Sequence, residues 1–238
     1  MEHALSRHLA GKFDSATVYP EVFPIERDDL VVSLGNGNGE HLFAYNENYG
    51  RFIGIEILGY KNRAALELAK QSKLKYDFTA ITGDITAIPL ASETCDKALA
   101  ISVIEHVPDE PFLKEVHRVL KSDGKLLITF PAMHDYYIWL GVWFKKNVAR
   151  MKTKGPYHWE DAYAHSCTEW IEMVKSHGFV LRMSRATTMF PPLQTLGVPR
   201  FWFSNKMVHT VDSFLCGIPL VKYFGQTLMC VFEKKFSR

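Results

Sequence analysis

Cysteine is scarce in this sequence, and long apolar runs are absent from it. The four cysteines, Cys95, Cys167, Cys216 and Cys230, lie far apart and form no CxxC pair, which argues against a zinc site and a disulfide framework. We expect four reduced thiols and no metal. No stretch approaches the roughly 18 apolar residues of a membrane span. Charges run through residues 1–13, where a secretory signal would need an apolar core. These features predict a cytoplasmic protein.

The charges of the chain are nearly balanced. The 28 Lys and Arg residues against 26 Asp and Glu give a formal net charge of +2, which creates no global field of the kind that favours nucleic acid. With 238 residues, 47% of them hydrophobic, the chain can close one substantial core but is short for two enzyme domains. We therefore predict a single domain over residues 1–238 that does not bind nucleic acid.

Short apolar runs alternate with amphipathic stretches from residue 29 onward, which is typical of a parallel sheet covered by helices. Strands are predicted at 30–34, 52–56, 78–83, 95–103, 125–130, from 179 onward and at 227–233, and helices at 40–48, 60–71, 111–120 and 168–177. Two stretches, 132–167 and 189–225, break this rhythm. The second is irregular and contains four prolines. We interpret both as substrate-side insertions beside a cofactor-binding core at 29–131.

Three glycines at alternate positions, Gly35, Gly37 and Gly39, follow the first predicted strand. Glycines between a strand and a helix let a ligand approach the backbone, and the helix start offers unpaired N–H groups. A dinucleotide fingerprint, GxGxxG, needs its third glycine at position 40, where Glu40 would repel a pyrophosphate. The spacing therefore favours a cofactor without phosphates, such as S-adenosylmethionine.

Carboxylates follow the next two predicted strands. Glu56 ends the second strand 21 positions after Gly35, where it can accept hydrogen bonds from two ribose hydroxyls. Asp84 follows the third strand and can accept from an adenine amino group while Ile85 packs on the ring. The sequence thus predicts a nucleoside pocket between these two loops.

These segments resemble, in their order, the successive motifs of class I S-adenosylmethionine-dependent methyltransferases, especially the ubiquinone/menaquinone C-methyltransferase-like (methyltransferase type 11) group. The matching segments are VVSLGNGNG at 31–39, GIE at 54–56, GDI at 83–85 with IPL at 88–90, EHV at 105–107 and RVLKSDGKLLI at 118–128. The resemblance implies an α/β, Rossmann-like fold with a seven-stranded, mostly parallel sheet in the order 3-2-1-4-5-7-6 and helices on both faces. The methyl donor would lie across the carboxyl ends of the first strands.

The resemblance also carries a donor site onto this chain. The donor-binding residues that it and the spacing predict are Ser33, Gly35, Asn36, Gly37, Gly39, Glu56, Ile57, Asp84, Ile85 and Ile101. Ser33 departs from the family pattern, which usually has an acid two residues before the first glycine. A hydroxyl complements the donor's ammonium less well than a carboxylate does. We therefore expect weaker donor binding than a Ser33→Asp variant would show.

The expected reaction is methyl transfer from the sulfonium to a small-molecule or lipid-linked acceptor, by in-line displacement without a covalent enzyme intermediate. His106, His134 and Tyr136 are candidates for a base if the acceptor must lose a proton, and His106 is equally open to a packing or capping role. A non-catalytic binding module of the same fold and a methyltransferase of a lipid-linked glycan are the alternative functions.

Three further polar residues, His158, Asp161 and His165, have a spacing that would place them along one helix. Aromatic residues interleave them, so we assign them to a substrate pocket or a solvated helix rather than to a metal.

The segment 136–154 combines aromatic residues with five basic residues and no acid. This composition favours either a lid helix over the active site or peripheral contact with a membrane surface. Both hold if the acceptor is lipid-linked.

Overall fold

The structure is a computed structural model that describes residues 15–39, 41, 45, 50–72, 77–131, 165–187, 206–225 and 227–235. Within these ranges the helices are α1 (Ser15–Val22), α2 (Gly59–Ser72), α3 (Asp109–Val119), α4 (Cys167–Ser176) and α5 (Lys206–Gly217). The strands are β1 (Leu30–Leu34), β2 (Arg51–Glu56), β3 (Asp77–Thr82), β4 (Cys95–Ala100), β5 (Leu120–Pro131), β6 (Phe179–Ala186) and β7 (Thr227–Lys234). Short 3₁₀ helices occupy Ile104–His106 and Val221–Phe224.

The seven strands form one sheet in the order β3-β2-β1-β4-β5-β7-β6. Strands β1 to β5 pair in parallel, and β7 is antiparallel to both β5 and β6. This order confirms the class I methyltransferase topology implied by the resemblance. Because β1 to β4 are parallel, the loops that follow them meet at one edge of the sheet, where open α/β sheets bind their ligands.

The middle of the sheet is buried on both faces, which explains why β1 is apolar at every position except Ser33 rather than alternating between apolar and polar residues. Val31 and Val32 are both 0% exposed, yet they belong to different core clusters on opposite faces of the sheet. On one face α3 and α4 supply the core, and Trp170 of α4 stacks on Phe130 of β5 at 5.6 Å. On the other face Tyr19 of α1 joins the cluster of Val31.

The region between β4 and β5 differs in detail from the predicted boundaries. Strand β4 ends at Ala100 rather than at position 103, because Ser102 adopts a left-handed backbone with φ 55. Strand β5 begins at Leu120 rather than at 125. Leu120 pairs with Cys95, and the register then jumps to Lys125 opposite Lys97. The intervening residues therefore bulge out of the ladder.

Helices α1 and α5 were not predicted. The stretch 189–225 was expected to be irregular because of its prolines, but α5 spans Lys206–Gly217, which contains no proline. The expectation of irregular structure was therefore wrong for these residues, since the prolines flank the helix without interrupting it. The helix predicted at 40–48 lies mostly outside the described residues.

Candidate functional site

The loop after β1 turns back over the sheet edge at three glycines. Gly35, Gly37 and Gly39 all have left-handed backbones, with φ of 62, 55 and 75, a region in which glycine is favoured. A Cβ on Gly35 would lie 2.6 Å from the Cγ2 of Val103, so this glycine lets the loop pack against the segment after β4. At Gly37 no heavy atom lies within 4 Å of the Cβ position. Position 37 is therefore where a ligand can reach the loop backbone.

Asn36 fastens this loop to the neighbouring strand β2. Its backbone N–H donates to the carbonyl oxygen of Ile55 at 3.0 Å, and its side chain, which is 1% exposed, packs onto Gly54. A Cβ on Gly54 would lie 2.7 Å from the Asn36 Cγ. The side-chain amide has no hydrogen-bond partner among the described residues. Asn36 thus acts here as a packed anchor of the loop.

Glu56 connects three loops at the carboxyl edge of the sheet. Its Oε2 accepts from the Gly37 N–H at 2.9 Å, and its Oε1 accepts from the Leu58 N–H at 3.1 Å. Its carbonyl oxygen accepts from the Gly83 N–H after β3 at 3.2 Å. The carboxylate is 6% exposed, and each of its oxygens can accept a further hydrogen bond. Glu56 and Gly37 therefore form one polar corner of the cleft.

The residues beyond Glu56 and β3 supply an apolar and a polar side to that corner. Ile57 is 64% exposed, which is unusual for an isoleucine. The exposed Asp84 accepts at Oδ1 from both the N–H and the hydroxyl of Thr86, each at 2.8 Å, and these bonds hold its pKa below the usual range. Ile85 is 7% exposed and belongs to the core, so Ile57 is better placed than Ile85 to meet a planar ring.

Ser33 lies on β1 immediately below the glycine loop and is 1% exposed. Its hydroxyl is 2.6 Å from the Nε2 of His41. His41 was not among the predicted site residues, because position 41 falls within the helix predicted at 40–48. A polar residue just after the glycine loop, next to a strand end that lacks the family's acid, is the signal that points to it.

The segment after β4 approaches the same edge of the sheet. The Ser102 N–H donates to the Thr129 hydroxyl at 2.8 Å, and Ile101 packs against the α1 side of the core. The side chain of His106 is exposed, and its backbone N–H donates to the Val103 carbonyl oxygen at 2.9 Å. Ile101 thus lies one residue past β4, and Val103 is the residue of this segment that meets the glycine loop.

Glu105 is a partly buried ionisable group of this segment. Burial raises the pKa of its carboxyl above the ordinary 4.5, although the neighbouring His106 opposes the shift. Its Oε2 is buried without a hydrogen-bond partner among the described residues. Glu105 was not among the predicted site residues, because the 3₁₀ turn at Ile104–His106 in which it lies was not predicted from the sequence.

Several polar residues singled out from the sequence, His134, Tyr136, His158 and Asp161, lie outside the described residues. His165 is described, and it sits just before α4. Its Nε2 is 3.5 Å from Oδ2 of Asp109, and its ring meets Trp170 edge-on at 4.7 Å. This arrangement packs the start of α4 against the start of α3.

The described ranges contain no group of three or more His, Cys, Asp and Glu side chains arranged to hold a metal ion. None of the helices described is both long enough and apolar enough to cross a membrane.

Comparison with known proteins points to one family. Residues 32–128 match a family model described as a methyltransferase domain. An uncharacterized methyltransferase-like protein of Schizosaccharomyces pombe is 27% identical over 229 residues, which are 90% of this chain and 84% of that protein. The demethylmenaquinone methyltransferase of Chlamydia caviae is 31% identical over 101 residues, 42% of this chain and 43% of that protein. The chain spans 44% and 20% of the length of two other curated relatives.

Solved structures agree on the fold. The crystal structure of a SAM-dependent methyltransferase from Aquifex aeolicus matches with a TM-score of 0.60 and 16% identity, covering 97% of this chain and 93% of that one. The strand order, the matched family model and the ordered motifs agree. Residues 32–128 therefore match a methyltransferase domain, and the sheet has the class I methyltransferase strand order.

Proposed function

We propose that this chain binds S-adenosylmethionine at the carboxyl ends of β1, β2 and β4 and transfers the methyl group to an apolar, lipid-type acceptor. The observation that carries the donor part is the contact between Glu56 and the Gly37 N–H at 2.9 Å. This contact combines a buried carboxylate with an open, side-chain-free stretch of backbone, which is the arrangement that a ribose beside a loop requires.

In this proposal the donor lies along the edge of the sheet. Its ribose hydroxyls donate to Glu56, its adenine meets Ile57 and the free Oδ2 side of Asp84, and its amino acid part lies over Gly35, Gly37 and Gly39, close to Ser33. The same proposal includes four other predicted residues, Ser33, Asn36, Ile85 and Ile101. Asn36 anchors the glycine loop, and Ile85 belongs to the apolar core beneath the donor. The residues present fit a nucleoside with an amino acid tail.

The bound donor supplies an electrophilic methyl group on a sulfonium. The chain aligns the acceptor's nucleophile with the methyl carbon, at the segment after β4, and excludes water from the cleft. The C–S bond breaks as the new bond forms, and sulfur keeps the electron pair. If the acceptor must lose a proton, Glu105 is a candidate to receive it besides His106, since a carboxyl with a raised pKa is closer to the pKa of a useful base.

An exposed apolar surface supports a lipid-type acceptor. Four large side chains of the α5 region are exposed by 42% to 78%: Val211, Phe214, Phe224 and Leu220. Asp212, the acid of α5, is 4% exposed, so its charge does not interrupt this surface. A patch of exposed apolar side chains without exposed acids fits the interface of a bilayer. The stretches 132–167 and 189–225 remain proposed substrate-side insertions, and the basic and aromatic segment 136–154 lies outside the described residues.

One comparison favours the same acceptor class. The Chlamydia caviae relative is named as a methyltransferase of demethylmenaquinone, a ring-containing lipid. We therefore propose a lipophilic ring, such as a hydroquinone with an isoprenoid tail, ahead of a lipid-linked glycan.

Label transfer from tritiated S-adenosylmethionine tests this function. A hydroquinone with a short isoprenoid tail and the same ring without a tail are compared as acceptors in the presence of detergent. We expect label in the tailed acceptor in clear excess over the bare ring. Donor binding without transfer to any lipophilic ring would contradict the catalytic proposal and favour the binding module.

The membrane contact has its own test, flotation with vesicles of phosphatidylcholine and phosphatidylglycerol. The variant Phe214→Glu/Leu220→Glu is expected to lose vesicle binding, whereas the matched control Ala64→Glu/Gln71→Glu on the exposed face of α2 keeps it. Equal binding by both variants would exclude the α5 surface as the contact.

A further inference from the structure

The Ser33–His41 pair is a partly buried polar contact that the proposed donor site does not yet use. Ser33 occupies the last but one position of β1, two residues before the first glycine of the loop, and is 1% exposed. The Ser33 Oγ and the His41 Nε2 are 2.6 Å apart, a short distance for an N···O hydrogen bond. Both residues lie beside the part of the loop over which the donor's amino acid is proposed to bind.

The chemistry of that end of the donor sets a requirement. The amino acid part carries an ammonium, whose N–H groups need acceptors, and a carboxylate. Methyltransferases that this chain resembles usually meet the ammonium with an acid at the position of Ser33. A serine hydroxyl is both a donor and an acceptor, so on its own it does not discriminate between the two charged groups.

We propose that His41 is a positioning residue that turns the Ser33 hydroxyl into an acceptor for the donor's ammonium. This inference rests on the proposed donor binding. When the Ser33 hydroxyl donates a hydrogen bond to Nε2, both lone pairs of Oγ remain available to accept from the ammonium N–H groups. The opposite tautomer, with Nε2–H donating to Oγ, would leave the hydroxyl proton to the donor's carboxylate. The hydroxyl–imidazole pair thus takes the place of the acid without placing a net charge in the buried site.

A neutral pair is suited to this position because Ser33 is almost fully buried. An isolated carboxylate there would lose most of its hydration in the absence of donor, whereas a hydroxyl bonded to an imidazole is already satisfied. The pair is therefore compatible with a stable donor-free site, and it exchanges electrostatic strength toward the ammonium for that stability.

Titration calorimetry with three nucleosides tests the inference. S-adenosylhomocysteine carries the whole amino acid, decarboxylated S-adenosylmethionine keeps the ammonium but lacks the carboxylate, and 5′-methylthioadenosine lacks both. Removing a hydrogen bond to a charged group corresponds to about a tenfold loss of affinity. We expect His41→Ala and Ser33→Ala each to weaken the first two ligands by about that factor and to leave methylthioadenosine unchanged.

Two combinations sharpen the result. The double variant Ser33→Ala/His41→Ala is expected to bind no more weakly than either single variant, because both remove the same interaction. In Ser33→Asp the carboxylate contacts the ammonium directly. Adding His41→Ala to this variant is therefore expected to change the affinity for S-adenosylhomocysteine little. His177→Ala, at the end of α4 and away from the sheet edge, is the matched histidine control and is expected to bind all three ligands like the wild type.

Several outcomes would overturn the inference. An equal loss for methylthioadenosine and for S-adenosylhomocysteine would mean that His41 only shapes the loop. A loss for S-adenosylhomocysteine alone, with decarboxylated S-adenosylmethionine unaffected, would assign the pair to the carboxylate through the opposite tautomer. Unchanged binding of all three ligands would remove any role for His41. If the folded wild type bound none of them, the proposed donor site itself would fail, and the inference with it.

Discussion

Asn36 packs onto Gly54 so closely that a Cβ on Gly54 would lie 2.7 Å from the Asn36 Cγ. Gly54 has no left-handed backbone, and β2 is regular at this position. The glycine is therefore required by its neighbour and not by its own conformation. The contact between Gly54 of β2 and Asn36 of the loop after β1 fixes the distance of the glycine loop from the sheet.

Gly54→Ala tests this contact. The added methyl group must displace Asn36, and overpacking of this kind costs about 1–3 kcal/mol of unfolding free energy. We expect this loss in urea unfolding, together with weaker binding of S-adenosylhomocysteine. Gly83→Ala is the control, because a Cβ there would lie at an ordinary 3.4 Å from Pro89. Adding Asn36→Ala to Gly54→Ala should restore part of the stability, and no difference between the two glycine variants would refute the packing argument.

Glu56→Gln tests the ribose contact. Both oxygens of Glu56 accept backbone N–H bonds, from Gly37 and Leu58, and an amide cannot accept at both positions. The variant also loses charge-assisted bonds to the ribose hydroxyls. We expect at least a tenfold weaker binding of S-adenosylhomocysteine in calorimetry, on the order of the loss of one charged hydrogen bond. Glu67→Gln on α2, an exposed residue paired with Lys70, should leave the affinity unchanged; an equal affinity for Glu56→Gln would speak against this site.

Lys97→Met tests the ion pair between Lys97 of β4 and Asp29, the residue just before β1. The Lys97 ammonium is 2.5 Å from Oδ2 of Asp29 and 2.6 Å from the carbonyl oxygen of Pro24, and the two side chains are 10% and 13% exposed. Removing the lysine leaves the largely buried Asp29 carboxylate without its counter-ion, with the Glu26 N–H still donating to its Oδ2 at 2.6 Å. Loss of one partner of a buried ion pair costs about 3–5 kcal/mol. Lys70→Met removes a pair that is 71% and 62% exposed, so a change below about 1 kcal/mol is expected. Comparable losses of unfolding free energy for Lys97→Met and Lys70→Met in thermal or urea unfolding would contradict the expectation that the buried pair contributes more to stability.

Glu105→Gln tests the buried carboxyl after β4. Because the folded-state pKa of Glu105 is raised above 4.5, its contribution to stability is fully present at acid pH and is lost as pH rises through the folded-state pKa. The variant should therefore gain stability relative to the wild type at pH 7.5 and show a smaller difference near pH 4. Urea unfolding at both pH values measures this.

Glu110→Gln is expected to change the pH dependence of stability in the opposite direction. Lys114 holds the pKa of the Glu110 carboxyl below its usual value, so the stability that its charge provides is present above the ordinary pKa of 4.5 and is lost as the pH falls. Urea unfolding at pH 7.5 and near pH 4 measures this for Glu110→Gln as well. For the Glu105→Gln variant, a stability below that of the wild type at pH 7.5 would contradict the account of its burial.

The sequence predicted the central features of the fold for identifiable reasons. Four of the five residues of β1 are apolar because both faces of the sheet are covered. The spacing of Gly35, Gly37 and Gly39 favoured a cofactor without phosphates over a dinucleotide. The position of Glu56 at the end of β2 followed from counting along two strands and a helix. The order of the seven strands came from the resemblance rather than from residue patterns.

Other features depend on contacts between distant segments and were not accessible from the sequence. Helix α1 is held by Tyr19 and Phe23 in a cluster with Val31, and its own residues include Pro20. The pairing of His41 with Ser33 requires the loop to turn back over β1. The burial of Glu105 depends on a single 3₁₀ turn. In each case tertiary packing, rather than local preference, decides the outcome.

Calorimetric titration of the folded protein with S-adenosylmethionine, beside a Gly37→Arg variant, tests the central claim most directly. Gly37 has a left-handed backbone and faces open space, so the arginine side chain would occupy the cleft above Glu56. The account predicts saturable, one-site binding by the wild type that is lost in the variant while its circular dichroism spectrum stays unchanged. Failure of the folded wild type to bind the donor, or undiminished binding by Gly37→Arg, would contradict it.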